Sequence, residues 1–153
     1  MLKQYLYILA ISAVPIIEQR GAIPVGILLY RLDPVLVTLV SYVGSLIPMF
    51  FVIYCFTPIF KWLSTKKILK WFYDFIDKKV KKGQKKVERY ETMGLAIFVA
   101  IPLPVTGVWT GSAIAAFMQM DKKKAFLSVS AGAAMSAIII TLICYIAPKL
   151  LGY

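Results

Sequence analysis

The stretch Ile17-Glu18-Gln19-Arg20-Gly21-Ala22 places two opposite charges inside an otherwise apolar part of the chain. Predominantly apolar residues fill positions 5–17 before it and 22–30 after it. Each flank is too short to cross a bilayer, because a transmembrane helix needs about 20 residues. The flanks therefore form either one kinked span or the two arms of a re-entrant hairpin, with the charged loop at membrane depth. Ionisable residues cost at least ~2.5 kcal/mol at the centre of a membrane helix. Glu18 and Arg20 are therefore candidates for function, and the alternative is a structural ion pair.

A second, uncharged interruption reads Pro102-Leu103-Pro104-Val105-Thr106-Gly107, between apolar residues 93–101 and 108–120. Its two prolines prevent a continuous helix, Thr106 can cap the helix that follows, and Gly107 lets the backbone approach a ligand. Gly111 keeps that second half-helix slim against its neighbour. The alternative is a tightly packed helix with a proline kink. We expect Trp109 to anchor the chain at a membrane interface.

Two continuous apolar segments, 35–56 and 125–147, are long enough to span a membrane. The whole chain is 60% hydrophobic and 16% charged, whereas soluble domains are about half apolar and a quarter charged. We therefore predict an all-α integral membrane protein that forms a single domain over residues 1–153.

The order of the segments occurs twice, as a broken segment followed by a full span. Asp33 corresponds to Asp121 and Gly44 to Gly132, both at an offset of 88 residues (121 − 33 and 132 − 44). This pattern predicts an internal repeat, with repeat 1 at about residues 1–60 and repeat 2 at about 92–153.

The connection between the repeats, residues 61–91, is strongly basic. It holds 11 of the 18 Lys and Arg residues, all between Lys61 and Arg89. Apolar residues recur there at helical spacing, which predicts a basic amphipathic helix that contacts anionic lipid headgroups, with 84–90 as a polar connection after it. This helix either lies on the membrane surface and anchors the fold, or acts as a lipid-sensing or gating element. The positive-inside rule places it in the cytoplasm.

The same rule decides how the second broken segment enters the membrane. If residues 93–120 crossed the bilayer, Lys122, Lys123 and Lys124 would lie outside, whereas a re-entrant hairpin keeps them inside. A hairpin plus one span makes an odd number of crossings, so the two repeats would be inverted. We predict two opposed re-entrant hairpins that meet near the membrane midplane, an arrangement that transporters use.

Several function classes are disfavoured by composition. The chain has no histidine, which excludes histidine-based catalysis and histidine-ligated metals. Its two cysteines lie in apolar runs and are expected to be reduced thiols. With one deep acid and no activated nucleophile, we expect no enzyme, no cofactor and no metal. The basic cluster lies beside apolar spans and has no base-reading module, so we expect no nucleic-acid partner.

The two loop strings, Glu18-Gln19-Arg20-Gly21-Ala22-Ile23-Pro24 and 101–111, resemble those of the putative small multidrug export family, a compact branch of the DedA (VTT-domain) superfamily. This resemblance implies opposed re-entrant hairpins and movement of a lipid, with polyprenyl phosphates or phospholipids as substrates. The acidic position of the family's first hairpin carries over to Glu18. DedA members place arginines in the second hairpin, where this chain has Thr106, so Arg20 would supply the cation.

These features together predict a membrane transporter or lipid translocase of the prokaryotic cytoplasmic membrane. The expected substrate is an anionic lipid, coupled to a proton carried by Glu18 and attracted by Arg20 and by the amides of a half-helix starting near Gly21. The alternatives are export of lipophilic cations and a non-transporting membrane assembly factor. A homo-oligomer is compatible with so few elements. The predicted substrate- and proton-binding residues are Glu18, Arg20, Gly21, Pro24, Pro102, Pro104, Thr106, Gly107 and Gly111.

Overall fold

The computed structural model describes residues 1–56, 84–103 and 106–150, and every regular element in these ranges is a helix. Helix α1 spans Leu2–Ala13, α2 spans Glu18–Pro24 and α3 spans Pro34–Phe51. In the second half, α4 spans Gln84–Ala100, α5 spans Val108–Phe117 and α6 spans Lys122–Leu150. Helices α2 and α3 continue as π-helical turns at Val25–Leu29 and Val52–Phe56. Each π-turn follows a proline, Pro24 or Pro48, whose missing N–H disturbs the regular ladder.

Two of these helices are long and apolar enough to cross a membrane, as the sequence predicts. They are the segments Pro34–Cys55 and Lys122–Ala147. Large apolar side chains at helical spacing are exposed along α3, at Leu39, Val43 and Ile47. Such a stripe would aggregate in water, and it fits contact with lipid. Both spans begin with an aspartate cap: Asp33 accepts from the Leu36 N–H, and Asp121 accepts from the N–H groups of Lys123 and Lys124.

In the first half, the chain reverses direction twice. Ile8 of α1 and Ile23 of α2 lie in one buried cluster across the loop at 14–17. After α2 the chain turns back, because Gln19 lies beside Ser45 of α3, whereas Gly26 contacts Val37 near the start of that helix.

The second half reverses in the same way. The Cβ position of Gly111 in α5 lies 2.4 Å from Val99 of α4. Helices α4 and α6 run parallel, since Thr92 contacts Ser128, and Val99, further along α4, contacts Gly132, further along α6. Each broken segment is therefore a helical hairpin, followed by a span that runs parallel to its first arm.

The two long helices α3 and α6 pack antiparallel. Thr38 near the start of α3 bonds Thr141 near the end of α6, with 2.6 Å between the hydroxyl oxygens. At the other end, the Lys122 ammonium lies 5.1 Å from the ring centroid of Tyr54. The membrane re-entry of the hairpins and the inverted repeat stay predictions.

Two local expectations are wrong. Residues 84–90 are not a polar connection, because α4 begins at Gln84 and runs without interruption into the apolar arm. Helix α2 begins at Glu18 and not near Gly21, because the Gly21 N–H already donates to the Ile17 carbonyl and closes the first helical turn. Most of the predicted amphipathic helix, residues 61–83, lies outside the described residues.

Candidate functional site

The loops of the two hairpins meet each other in the fold. Side chains from the start of α2 reach the end of α4 and the start of α5. We call this meeting the tip contact and define it by Glu18, Arg20, Thr106, Gly107 and Trp109. It unites the charged loop and the proline loop, which are about 90 residues apart in the chain.

Glu18 caps the half-helix of the other hairpin. Its two carboxylate oxygens accept hydrogen bonds from the backbone N–H groups of Val108, at 3.1 Å, and Trp109, at 2.9 Å. These are the first two residues of α5, whose free amides and positive dipole end favour an anion. A Cβ at Gly107 would lie 1.9 Å from Glu18 Oε2, so only glycine admits the carboxylate there. Glu18 is buried and adopts a positive φ of 48°, an uncommon conformation for a residue with a side chain.

Arg20 binds the opposite helix end, the last turn of α4. In a continued helix the Val99 carbonyl would accept from the Leu103 N–H, but that N–H donates to Ile101 instead. Arg20 Nη2 donates to the freed Val99 carbonyl at 3.1 Å. Its Nη1 donates to the Leu103 carbonyl and, at 2.9 Å, to Thr106 Oγ1. The cation thus lies at the negative end of the α4 dipole, where positive charge is stabilised.

The second hairpin caps the first in return. The indole Nε1–H of Trp109 donates to the Ala13 carbonyl at the end of α1, at 3.1 Å. Trp109 is therefore part of the contact between the loops, and its role as an interface anchor stays a prediction. Between the loops, Arg20 Nε lies 3.9 Å from Glu18 Oε2, a longer contact than the hydrogen bonds each residue makes to the other hairpin. Each charged side chain therefore interacts mainly with an interrupted helix of the second hairpin, and only secondarily with the other charge.

Gln19 fixes the position of the first loop along the spans. The residue is 1% exposed. Its Nε2 donates to the Ala133 carbonyl of α6 at 2.7 Å, and its Oε1 accepts from Ser45 Oγ of α3 at 3.3 Å. Ser45 and Ala133 both lie near the middle of their long helices, so the tip contact lies near the middle of the two spans.

A pocket of about 270 Å³ opens beside the tip contact. Its lining combines both charged side chains with backbone and apolar groups: Pro15, Ile16, Glu18, Arg20, Gly107, Trp109 and Thr110. Ile16 on its rim is 93% exposed and has a φ of 81°. A β-branched residue at positive φ is strained, and such strain concentrates at sites that bind or move.

The predicted site residues are distributed unevenly around this pocket. Glu18, Arg20, Thr106 and Gly107 come together in the tip contact. Gly21 and Gly111 lie within the half-helices, where an added Cβ would meet Ile17 at 2.6 Å or Val99 at 2.4 Å, so both serve packing. Pro24 disturbs α2 as described, and Pro102 is exposed in the loop that ends α4. Pro104 lies outside the described residues.

Sequence reasoning gave no role to Gln19 and gave Trp109 a different one. A buried amide one residue from each of two charges has no periodic or spacing signal of its own. The one available clue was the matching row of hydroxyls on α3, since Thr38, Ser41 and Ser45 fall at helical spacing in an apolar span.

The comparisons with known proteins give one match. The model of the family described as "Putative small multi-drug export protein" matches residues 18–139. No curated protein and no solved structure matches the chain.

Proposed function

The chain belongs to the small multi-drug export family, and on this basis we propose that it is a membrane transporter whose substrate passes the tip contact. We further propose that Glu18 couples this movement to a proton, and that the protein performs no enzymatic chemistry. The observation that carries the proposal is the Glu18 carboxylate, buried between two hairpins and bonded to the first amides of α5.

The placement of the loops supports two opposed re-entrant hairpins. If the long helices span the membrane, Gln19 sets the first loop at mid-depth, and the tip contact brings the second loop to the same level. The hairpin reversals disfavour a kinked span for either segment. In the bilayer, irregular backbone needs partners from the protein, and Glu18, Arg20 and Trp109 supply them here.

The two halves also support an inverted repeat. Gly44 lets α1 approach α3, since its Cβ position lies 2.6 Å from the Leu9 carbonyl, and Gly132 lets α4 approach α6, at 2.4 Å from the Ala96 carbonyl. Asp33 and Asp121 cap the two spans in the same way. The halves are therefore alike in structure, and their spans run in opposite directions.

The orientation follows from the positive charges. Lys122 lies against Tyr54, so Lys122–Lys124 occupy the end from which the basic segment 61–91 departs. We propose that this end faces the cytoplasm of a prokaryote and that Lys61–Arg89 bind anionic headgroups.

The tip contact suggests how a proton would act. The ionised carboxylate holds α5 by two charge-assisted hydrogen bonds and balances Arg20. A proton on Glu18 weakens both hydrogen bonds and leaves Arg20 without its counter-ion, so the hairpins separate more easily.

The pocket suggests an amphiphilic substrate. Its rim at Ile16 is exposed near the level that we place at mid-depth, so a molecule could enter from the lipid with its polar part toward the tip contact. We propose an anionic lipid such as a polyprenyl phosphate, attracted by the guanidinium of Arg20. A lipophilic cation is the second candidate, because the Glu18 carboxylate lines the same pocket as the Arg20 guanidinium.

The test is transport in proteoliposomes, with and without a pH gradient. Labelled polyprenyl phosphate and labelled tetraphenylphosphonium are offered to the wild type, to Glu18→Gln and to Glu91→Gln. Glu91 lies on α4 away from the tip contact and receives the same chemical change, so this variant is the matched control.

Gradient-dependent movement of the lipid that is lost only in Glu18→Gln supports the first candidate. The same pattern with tetraphenylphosphonium supports the second. Movement of neither molecule contradicts the proposed transport and favours a membrane assembly factor. Movement that Glu18→Gln leaves unchanged contradicts proton coupling through Glu18.

A further inference from the structure

A row of buried and half-buried polar side chains connects one end of the two long helices with Gln19. We call it the polar seam and define it by Thr38, Ser41 and Ser45 of α3, Ser136 and Thr141 of α6, and Gln19. Thr38 and Thr141 bond each other, and Gln19 bonds Ser45 and the Ala133 carbonyl. The seam is thus hydrogen-bonded at both of its ends.

Its middle is not. Ser41 and Ser136 are both 0% exposed, and their hydroxyls have no hydrogen-bond partner among the residues that the structure describes. Ser41 lies one turn before Ser45, and Ser136 lies about one turn after Ala133. Because α3 and α6 are antiparallel, both hydroxyls fall on the same side of Gln19, between it and the threonine pair.

Hydroxyls in this position are chemically unusual. A serine in a membrane helix normally bonds a carbonyl of its own helix, as Ser12 does with Leu9. A buried hydroxyl without any partner is unfavourable, and it is commonly satisfied by an internal water with two to four polar neighbours. Ser41 and Ser136 are two such hydroxyls, each about one turn along its helix from a residue that Gln19 bonds.

We propose that the polar seam holds internal water between the Thr38–Thr141 pair and Gln19, with Ser41 and Ser136 as its ligands. This water leads from the end of the spans opposite Lys122 to the residue next to Glu18. It would thereby bring protons as far as Gln19, one residue from the Glu18 that takes one up in the proposed coupling. That role rests on the proposed proton coupling, but the water sites themselves do not.

Thermal unfolding of the purified protein tests the water sites directly. If the two hydroxyls are dry, Ser41→Ala and Ser136→Ala remove an unfavourable burial and raise the melting temperature. If they bind water, each variant loses hydrogen bonds and melts a few degrees lower. Ser128→Ala is the reference for a lost hydrogen bond, because Ser128 Oγ donates to the Thr92 carbonyl at 2.5 Å. We expect all three variants to shift downward, and an upward shift in Ser41→Ala and Ser136→Ala overturns the proposal.

Thiol accessibility tests the connection to the outside. In a background where Cys55 and Cys144 are replaced by alanine, a single Ser136→Cys thiol is exposed to Ag⁺ in intact proteoliposomes. The comparator is Val129→Cys, which lies in an apolar core cluster on the opposite side of Gln19 from Ser136. We expect rapid modification at 136 and protection at 129. Equal protection of both thiols overturns the aqueous connection, whatever the transport assay shows.

Discussion

The substitution Gly107→Ala tests the tip contact most sharply. The added methyl carbon would lie 1.9 Å from Glu18 Oε2 and 2.5 Å from Glu18 Cδ. Even a tight contact of 3.0 Å requires the carboxylate to retreat by about 1.1 Å (3.0 − 1.9). Its hydrogen bonds to Val108 and Trp109, now 3.1 and 2.9 Å, would then stretch to about 4 Å and be lost.

The expected cost follows from those two hydrogen bonds. Hydrogen bonds to charged groups contribute about 1.5–3 kcal/mol each in soluble proteins, and polar contacts between membrane helices average about 0.6 and reach about 1.7 kcal/mol. For the two hydrogen bonds together, we expect a loss of about 2 kcal/mol of unfolding free energy. In a protein of this size it lowers the melting temperature by about 4–8 °C.

The assay is thermal unfolding in detergent, with Gly94→Ala as the matched control. An added Cβ at Gly94 would meet nothing within 4 Å, and alanine is the better helix former by about 1 kcal/mol. Gly94→Ala should therefore melt at or above the wild-type temperature. The cause is isolated in the Glu18→Ala background, where Gly107→Ala should cost little because the clash is gone. Equal melting of Gly107→Ala and Gly94→Ala would refute the reasoning, as would an unchanged effect in Glu18→Ala.

Three further outcomes are expected. Arg20→Lys keeps the charge but loses the planar fork that reaches Val99, Leu103 and Thr106 together, so it should lower both the melting temperature and transport; wild-type values would show that only the charge matters. Gly132→Ala should destabilise by about 1–3 kcal/mol, because its Cβ would lie 2.4 Å from a backbone carbonyl that cannot rotate away; urea or thermal unfolding at wild-type values would contradict this close approach. Asp121→Ala removes the cap of α6 and should cost about 1 kcal/mol of unfolding free energy, with Asp33→Ala giving a similar loss if the two caps are equivalent.

Much of the helical framework could be predicted because its signals are local. The lengths of 35–56 and 125–147 indicate the two spans, and an aspartate at the start of each supplies the cap. The positions of the two breaks follow from charges or prolines that a continuous apolar helix does not accommodate. The helical state of 84–90 was missed, since polar side chains permit a helix whose stability comes from the apolar arm that follows it.

The sequence predicted which residues belong to the candidate site, but not which partners they contact. The sequence indicated that Glu18, Arg20, Thr106 and Gly107 were important, but it suggested that Arg20 and a half-helix near Gly21 would face a ligand together. In the fold, the amides that meet Glu18 belong to α5 and the carbonyls that meet Arg20 belong to α4. Gly107 is needed because a carboxylate from the other hairpin occupies the space of its side chain.

The sequence by itself determined where the chain can be helical, where it must break, and which charges are buried with those breaks. These properties depend on side-chain polarity, on proline geometry and on segment length, all of which act within a few residues. Only the tertiary structure decided that each hairpin caps the interrupted helices of the other and that Gln19 joins both spans. Those contacts connect residues 26 to 114 positions apart, and they exist only because the reversals of the chain bring free helix ends and buried polar groups to the same level, where apolar surroundings make each unpaired group unfavourable.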